Sequence, residues 1–179
     1  VPACEADRRA LLSEADRIAA AIENNAWDGN WYVRAFCDDG KILGSSSSSE
    51  CMIDSIAQSW SVLSGYGNPE RSKTALLSAE RFLVDDENGV IKLLTPPFTE
   101  ASVADVGYIA SYPPGIRENG AQYTHAAIWL AKAFFQIGRK DPEFAQKGRR
   151  LLEMLNPVNH SRTRLEAARY KTEPYAVAA

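Results

Sequence analysis

Cysteine and histidine are scarce, with three and two residues in a chain of 179. Cys4, Cys37 and Cys51 are odd in number and stand in no Cys-x-x-Cys or Cys/His spacing of a zinc site. A disulfide framework and a structural metal are therefore not expected; reduced, semi-buried thiols in a reducing compartment are. A cysteine nucleophile needs surroundings that lower the thiol pKa, and none is legible around these three. Long apolar runs are missing too. No stretch approaches the roughly 20 apolar residues of a membrane helix, and the opening VPACEADRRALL has no signal-peptide apolar centre, so this chain is not expected to insert into a bilayer. Nor is positive charge in surplus. The formal net charge is −3 and the pI about 5.5, and no Lys/Arg run is interleaved with aromatics, which excludes nucleic acid as a partner. What remains is a composition 45% hydrophobic and 24% charged, that of one globular domain or part of one.

Periodicity predicts mainly helix. From Cys4 to Ala26, Leu11, Leu12, Ile18, Ala19 and Ile22 return at helical spacing, an amphipathic pattern. WDGNWYVRAFCDDGKILGS carries turn signals at Asp28-Gly29-Asn30 and Asp38-Asp39-Gly40 around an aromatic run, a short hairpin. Ser45 to Ser49 resembles a linker in composition, but five residues are too few for a domain boundary. IDSIAQSWSVL predicts a helix over Ile53 to Leu63 burying Ile53, Ile56, Trp60 and Leu63, with Gly65 as terminator. Asn68-Pro69-Glu70 opens another helix to about Leu83, Asp85 to Gly89 turns, and GVIKLLTPPF reads as a strand stopped by Pro96-Pro97. Phe98 to Gly120 is irregular, and a loop that long in a compact domain is usually functional or disordered; its aromatics and prolines favour function. Helices are expected again at about Ala121 to Ile137, Pro142 to Leu155 and Thr163 to Tyr170, after which the chain looks cut. The fold class is mainly α, an α/α arrangement of helix pairs with short hairpins and long loops, and periodicity does not separate a toroid from an irregular bundle.

Chemistry concentrates in SYPPGIRENGAQYTHAAIW, residues Ser111 to Trp129. Asn119 is placed to cap the following helix, whose free amides and dipole would then face Arg117, a setting for an anion. His125 follows within two turns, where an imidazole donates to a phosphate or carboxylate and an arginine adds a two-pronged contact. Other readings stand beside this one. His125 fits a core residue with one hydrogen bond, Arg117 and Glu118 fit a solvated pair worth about 0–1 kcal/mol, and Tyr112 fits packing on Pro113 and Pro114. Among the remaining titratable groups, Glu50 and Asp54 suggest helix capping, Asp105 an ordinary turn, and His160 a cap or orienting group for the next helix. Glu173 fits either a sugar contact or a place in the wall.

Six stretches carry a resemblance: WDGNWYVRAFCDDGKILGS, ECMIDSIAQSWSVLSG, LLTPPF, GYIASYPPGIRENGAQYTHAAIW, LLEMLNPVNH and RYKTEPYAVAA. In order and spacing they resemble the inverting glycoside phosphorylases, the glycoside hydrolase family 94 of cellobiose and chitobiose phosphorylases. The likeness extends to the C-terminal region of cyclic β-1,2-glucan synthases. The resemblance implies an (α/α)₆ barrel, or toroid, of which residues 1–179 would be a single partial domain from its central to late part. It implies glycosyltransferase-type chemistry: phosphate attacks the anomeric carbon with inversion while one carboxylic acid protonates the departing oxygen. Phosphate is then a co-substrate, and no cofactor or metal is implied.

Position by position, His125 matches the family's phosphate-binding histidine. Tyr112, Arg117 and Glu118 fall at the acceptor-side sugar. Lys171 stands where some relatives use glutamine on the donor-side sugar. The general acid belongs to a Gly-Asp-Trp-Asn-Asp-Gly-type motif expected upstream of Val1; Asp28, in a different segment, is not assigned to it. A further phosphate contact is expected beyond Ala179. The chain would thus be a catalytic-domain fragment without an acid, inactive alone, with β-glucan, phosphate and the rest of its parent polypeptide as partners. Self-association through open helix faces is a further expectation. The implied parent, if a glucan synthase, works on the cytoplasmic side of a bacterial inner membrane. Two other classes remain: a noncatalytic carbohydrate-binding or structural module, and a toroid hydrolase with two carboxylates about 6.5–9.5 Å apart.

Overall fold

The helices start where the sequence supplies caps. In the computed structural model, which describes residues 4–99, 106–173 and 175–177, Asp54 accepts from the amide of Ile56 to open α2 (Ser55–Leu63). Asn68 accepts from Glu70 and Arg71 at the head of α3 (Pro69–Leu83), with Pro69 in the first turn. Thr163 and Glu166 form a reciprocal capping box for α6 (Arg164–Tyr170). α1 (Glu5–Asn25), α4 (Thr124–Gly138) and α5 (Pro142–Leu155) complete the helices. Among the described residues no helix is long and apolar enough to cross a membrane.

Strands are short. β1 (Ala35–Phe36) pairs antiparallel with β2 (Ile42–Leu43), the expected hairpin. The single strand expected over GVIKLLTPPF is instead two. β5 (Val90–Ile91) pairs with β4 (Val84–Asp85), and β6 (Leu94–Thr95) pairs with β3 (Ile53–Asp54). The chain changes partners between them because the Leu93 amide donates to Ala121 and the Ser55 amide to Leu93.

α4 is the central helix, with Leu130 and Phe134 wholly buried. α5 packs against it antiparallel. A Cβ on Gly138 would stand 2.7 Å from Ala145 Cα, and one on Gly148 would stand 3.2 Å from the carbonyl of Ala131, so these glycines set the close approach. α2 lies on the other side of α4 and runs in the same direction. Trp60 and Trp129, each sixth in its helix, meet edge to face at 5.4 Å, and further along Gln136 donates to the Val62 carbonyl at 2.9 Å. The N-termini of α2 and α4 therefore share one end of the molecule, together with β3, β6 and the loop before α4.

Two burial expectations are corrected. α1 is a helix, but none of its residues is buried, and Leu11, Leu12, Ile18 and Ile22 all face outward. Among the described residues its hydrogen bonds to the rest of the chain are at its C-terminal end, through Glu23 to Tyr32, Asn68 and Arg71. Of the residues expected to be buried here only Ile53, which lies in β3, is fully covered; Ile56 and Leu63 are half-buried, Trp60 is exposed, and the buried face of α2 is Ser55, Gln58, Ser59 and Val62. Gln58 explains this, since its amide accepts from the Tyr32 amide and donates to the Tyr32 and Asp54 carbonyls, all at 2.9 Å. Three bonds to backbone offset the desolvation of the Gln58 amide, whereas the Ser55 hydroxyl on the same face is buried without a hydrogen bond among the described residues. The serine run is an ordered loop: Ser46 donates to the Asp28 carboxylate, and Trp31 Nε1 donates to Gly44.

Candidate functional site

The loop before α4 is built around Asn119, which is wholly buried. Its Oδ1 accepts from the Phe98 amide at 2.7 Å, and its Nδ2 donates to the carbonyls of Phe98 and Tyr112 at 2.9 and 2.8 Å. One side chain thus joins both ends of the irregular segment. Asn119 was expected to cap α4; the cap position is Tyr123, without a side-chain bond, and the amide of Asn119 serves the loop instead. His125 is consequently in the first turn of α4.

The staple holds Arg117 in the left-handed region, at φ 50, a conformation that costs a non-glycine residue about 1–2 kcal/mol. In that pose its guanidinium stands 5.3 Å over the Tyr112 ring, and its Nε is 3.5 Å from Glu118 Oε2. Tyr108 meets Tyr112 edge to face at 6.0 Å. Arg117 is open to solvent while Glu118 is mostly covered, and Glu118 Oε2 is buried with no hydrogen bond. A buried carboxylate oxygen without a hydrogen bond is costly, and the only cation facing this one among the described residues is the Arg117 guanidinium.

His125 is exposed and its ring lies 4.3 Å from Trp129, which in turn contacts Trp60. No hydrogen bond or ion pair to a described residue engages either ring nitrogen, so both are available to a ligand. The structure brings Tyr112, Arg117 and Glu118 into contact and places His125 at the same end of α4. No direct contact among the described residues links the histidine to the other three. Lys171 is apart from them as the left-handed C-cap of α6, at φ 55 and exposed.

Arg34 and Asp54 form a pair that the sequence did not reveal. Arg34 Nε is 3.4 Å from Asp54 Oδ2, and the carboxylate is buried while the guanidinium is half exposed. Burial pushes the Asp54 carboxyl above its ordinary range against the pull of Arg34. Arg34 lines a groove of about 460 Å³ with Tyr32, Phe36 and Trp60, a groove that none of the five expected residues enters. The only signal in the sequence was an arginine inside an aromatic run.

Other expectations resolve as follows. Asp54 caps a helix, but Glu50 does not; it accepts from the amide and hydroxyl of Thr99 at 2.9 and 2.6 Å. Cys51 is buried and its thiol is pushed up to about 12 by burial and by Asp54, so it is no nucleophile; Cys37 is half-buried, and Cys4 is exposed rather than semi-buried. His160 does not cap the following helix, whose cap is Thr163; its ring stacks on Tyr170, the last residue of that helix. The Glu173 side chain is exposed. Asp105 lies outside the described residues.

Comparison with known proteins returns a coherent set. The model of the glycosyl hydrolase 94 superfamily catalytic domain matches residues 3–179. A cyclic β-(1,2)-glucan synthase of Rhizobium meliloti is 49% identical over 89% of this chain, which covers 5% of that protein. The solabiose phosphorylase of Paenibacillus borealis is 36% identical over 86% of the chain and 20% of its own length. An N,N′-diacetylchitobiose phosphorylase of Vibrio proteolyticus is 27% identical over 82% and 18%. The chain therefore spans a fifth or less of each of these relatives. A mainly helical fold and a match along nearly the whole sequence place it plainly: the chain belongs to the glycosyl hydrolase 94 superfamily, as part of its catalytic domain.

Proposed function

We propose that this chain contributes sugar- and phosphate-binding groups to an enzyme that cleaves β-glucosidic linkages by inverting phosphorolysis, in a parent of the cyclic glucan synthase type. The observation that carries the reading is the Arg117–Glu118 pair over Tyr112, in which the carboxylate makes an ion pair but its Oε2 accepts no hydrogen bond. An ionised carboxylate accepts only, so its natural complement is a hydroxyl donor, and a sugar presents several. Arg117 pairs with that carboxylate, and Tyr112 lies beneath the guanidinium.

His125 takes phosphate. The N–H of its exposed ring, in the first turn of α4, is the donor offered to an oxyanion that must be held in line with the anomeric carbon. Lys171 contacts the donor-side sugar. Phosphate attacks that carbon from the face opposite the leaving oxygen, and a carboxylic acid delivers a proton to the oxygen. No Gly-Asp-Trp-Asn-Asp-Gly segment occurs in these 179 residues, and the acid is assigned to another part of the parent.

Calorimetric titration of the chain with sophorose and with inorganic phosphate tests this. Both are expected to bind, Glu118→Gln losing sophorose while keeping phosphate and His125→Ala doing the reverse. The chain alone is expected to release no glucose 1-phosphate from β-1,2-glucan; measurable release would contradict the assignment of the acid. The uncovered apolar residues of α1 favour a second reading, a structural module that supports its neighbours. Binding of neither ligand would establish it.

A further inference from the structure

Among the described α-helices only α1 and α6 bury none of their residues. With seven residues, α6 is also well below the about 12–15 at which isolated helices become even marginally stable, so something other than burial or propensity holds it. Its ionic ties are exposed: Arg169 Nη2 reaches Asn88 at 3.2 Å and Glu87 at 3.5 Å. Leu165 faces solvent at 80% exposure.

The better anchor is a pair of rings. Tyr170, the last residue of α6, lies flat on the imidazole of His160, with centroids 4.5 Å apart and planes within 7°. His160 is itself fixed to the body. Its Nε2 is 2.5 Å from the Met154 carbonyl in α5. It is also packed on Gly89 after β4, where an added Cβ would stand 2.7 Å from His160 Cε1. From the other side Tyr170 grips the turn that follows. Its hydroxyl donates to the Ala176 carbonyl at 2.8 Å, and the next residue is Lys171 in its left-handed pose, its amide bonded to Ala167.

We propose that His160 is a positioning residue: acting through Tyr170, it sets where Lys171 and the turn after it stand. The inference rests in part on the reading of Lys171 as a sugar contact. Histidine suits the task because it combines a flat ring, worth about 0.5–1.5 kcal/mol against another aromatic ring, with a nitrogen that donates to Met154. Phenylalanine would keep the first function and glutamine the second.

The test uses the 179-residue chain and its His160→Ala, His160→Phe and His160→Gln variants. Two readouts are compared: amide hydrogen exchange over residues 165–173 against residues 127–134 of α4, and titration with sophorose and with phosphate. In His160→Ala the first segment is expected to exchange about tenfold faster or more while α4 is unchanged, as local opening without global unfolding requires. Sophorose affinity should fall about fivefold or more with phosphate affinity unmoved, and His160→Phe should recover part of both losses. Unchanged exchange at 165–173, or an equal rise in α4, would overturn the proposal. So would accelerated exchange with sophorose affinity intact, or a parallel loss of phosphate. If the unmodified chain binds no sophorose, the reading of Lys171 fails separately, and the exchange comparison alone decides whether His160 holds the turn.

Discussion

The turn that carries Arg117 and Glu118 hangs on one wholly buried amide, that of Asn119, whereas the turn that carries Lys171 hangs on two rings near the surface. The first anchor is polar, low in dielectric and intolerant, because every backbone group it serves loses its partner together. The second is graded, since stacking, an imidazole bond and exposed ion pairs share the load. Two ordered turns of one chain can thus be equally well placed and differ widely in what it takes to displace them.

Asn119→Ala should have the largest effect. It leaves the amide and carbonyl of Phe98 and the carbonyl of Tyr112 unpaired, at about 1–3 kcal/mol for each buried group. A loss of about 3 kcal/mol or more is expected, seen by circular dichroism as a melting temperature lower by about 6–12 °C for a chain of this size. A drop below about 2 °C would break the comparison. Gly89→Ala strikes the other anchor. It adds a Cβ against His160 at a glycine with φ 68, for which about 1–2 kcal/mol is the scale of local strain. Exchange should show the damage confined to α6. If Gly89→Ala proves the more harmful of the two, the ranking of the anchors is reversed.

Two carboxylates sharpen the contrast through pH. Asp54 has its folded-state pKa raised, first by burial, with Arg34 opposing. The folded protein therefore holds an extra proton between the unfolded and folded values, and the stability this supplies is complete below the unfolded value and lost as pH rises through the folded one. Burial acts to raise Glu23 as well, but the Tyr32 hydroxyl, the Asn68 amide and Arg71 together hold it below its ordinary value. Its contribution is present above the unfolded value and lost as pH falls through the depressed one. Melting curves from pH 3 to 8 should then show Asp54→Asn gaining on the unmodified chain as pH rises, and Glu23→Gln gaining as pH falls. Since Asn also caps helices well, Asp54→Asn should stay within about 1 kcal/mol at neutral pH. Parallel curves for both variants would refute these assignments.

Local signals explain which parts of this were legible beforehand. Asn68-Pro69 and Thr163 with Glu166 state their helix starts within four residues, and the hairpin announces its turns in Asp38-Asp39-Gly40. The five proposed site positions came from resemblance; local chemistry left Tyr112, Arg117, Glu118 and His125 open and did not single out Lys171. What escaped were pairings across long stretches. Gln58 finds its partner in Tyr32, 26 positions away, so a hydrophobicity pattern assigned the buried face of α2 to Trp60. Asn119 looked like a cap because its true partners, Phe98 and Tyr112, are brought to it only by the fold. Arg34 and Asp54 meet across the hairpin for the same reason.

The smallest effects belong to apolar residues that the fold leaves bare. Leu11 in α1 and Leu165 in α6 sit at apolar positions of helical patterns, yet they are 71% and 80% exposed. Replacing either by serine gives up little burial, so the unfolding free energy measured in urea should move by no more than about 0.5 kcal/mol. The two substitutions separate in a second measurement. α1 presents Leu11, Leu12, Ile18 and Ile22 together as one uncovered apolar face, whereas Leu165 stands alone. Sedimentation should therefore show Leu11→Ser weakening any self-association that Leu165→Ser leaves intact. A cost above about 1 kcal/mol for Leu11→Ser in a strictly monomeric chain would mean that α1 is packed in solution, and its bare face would have to be redrawn.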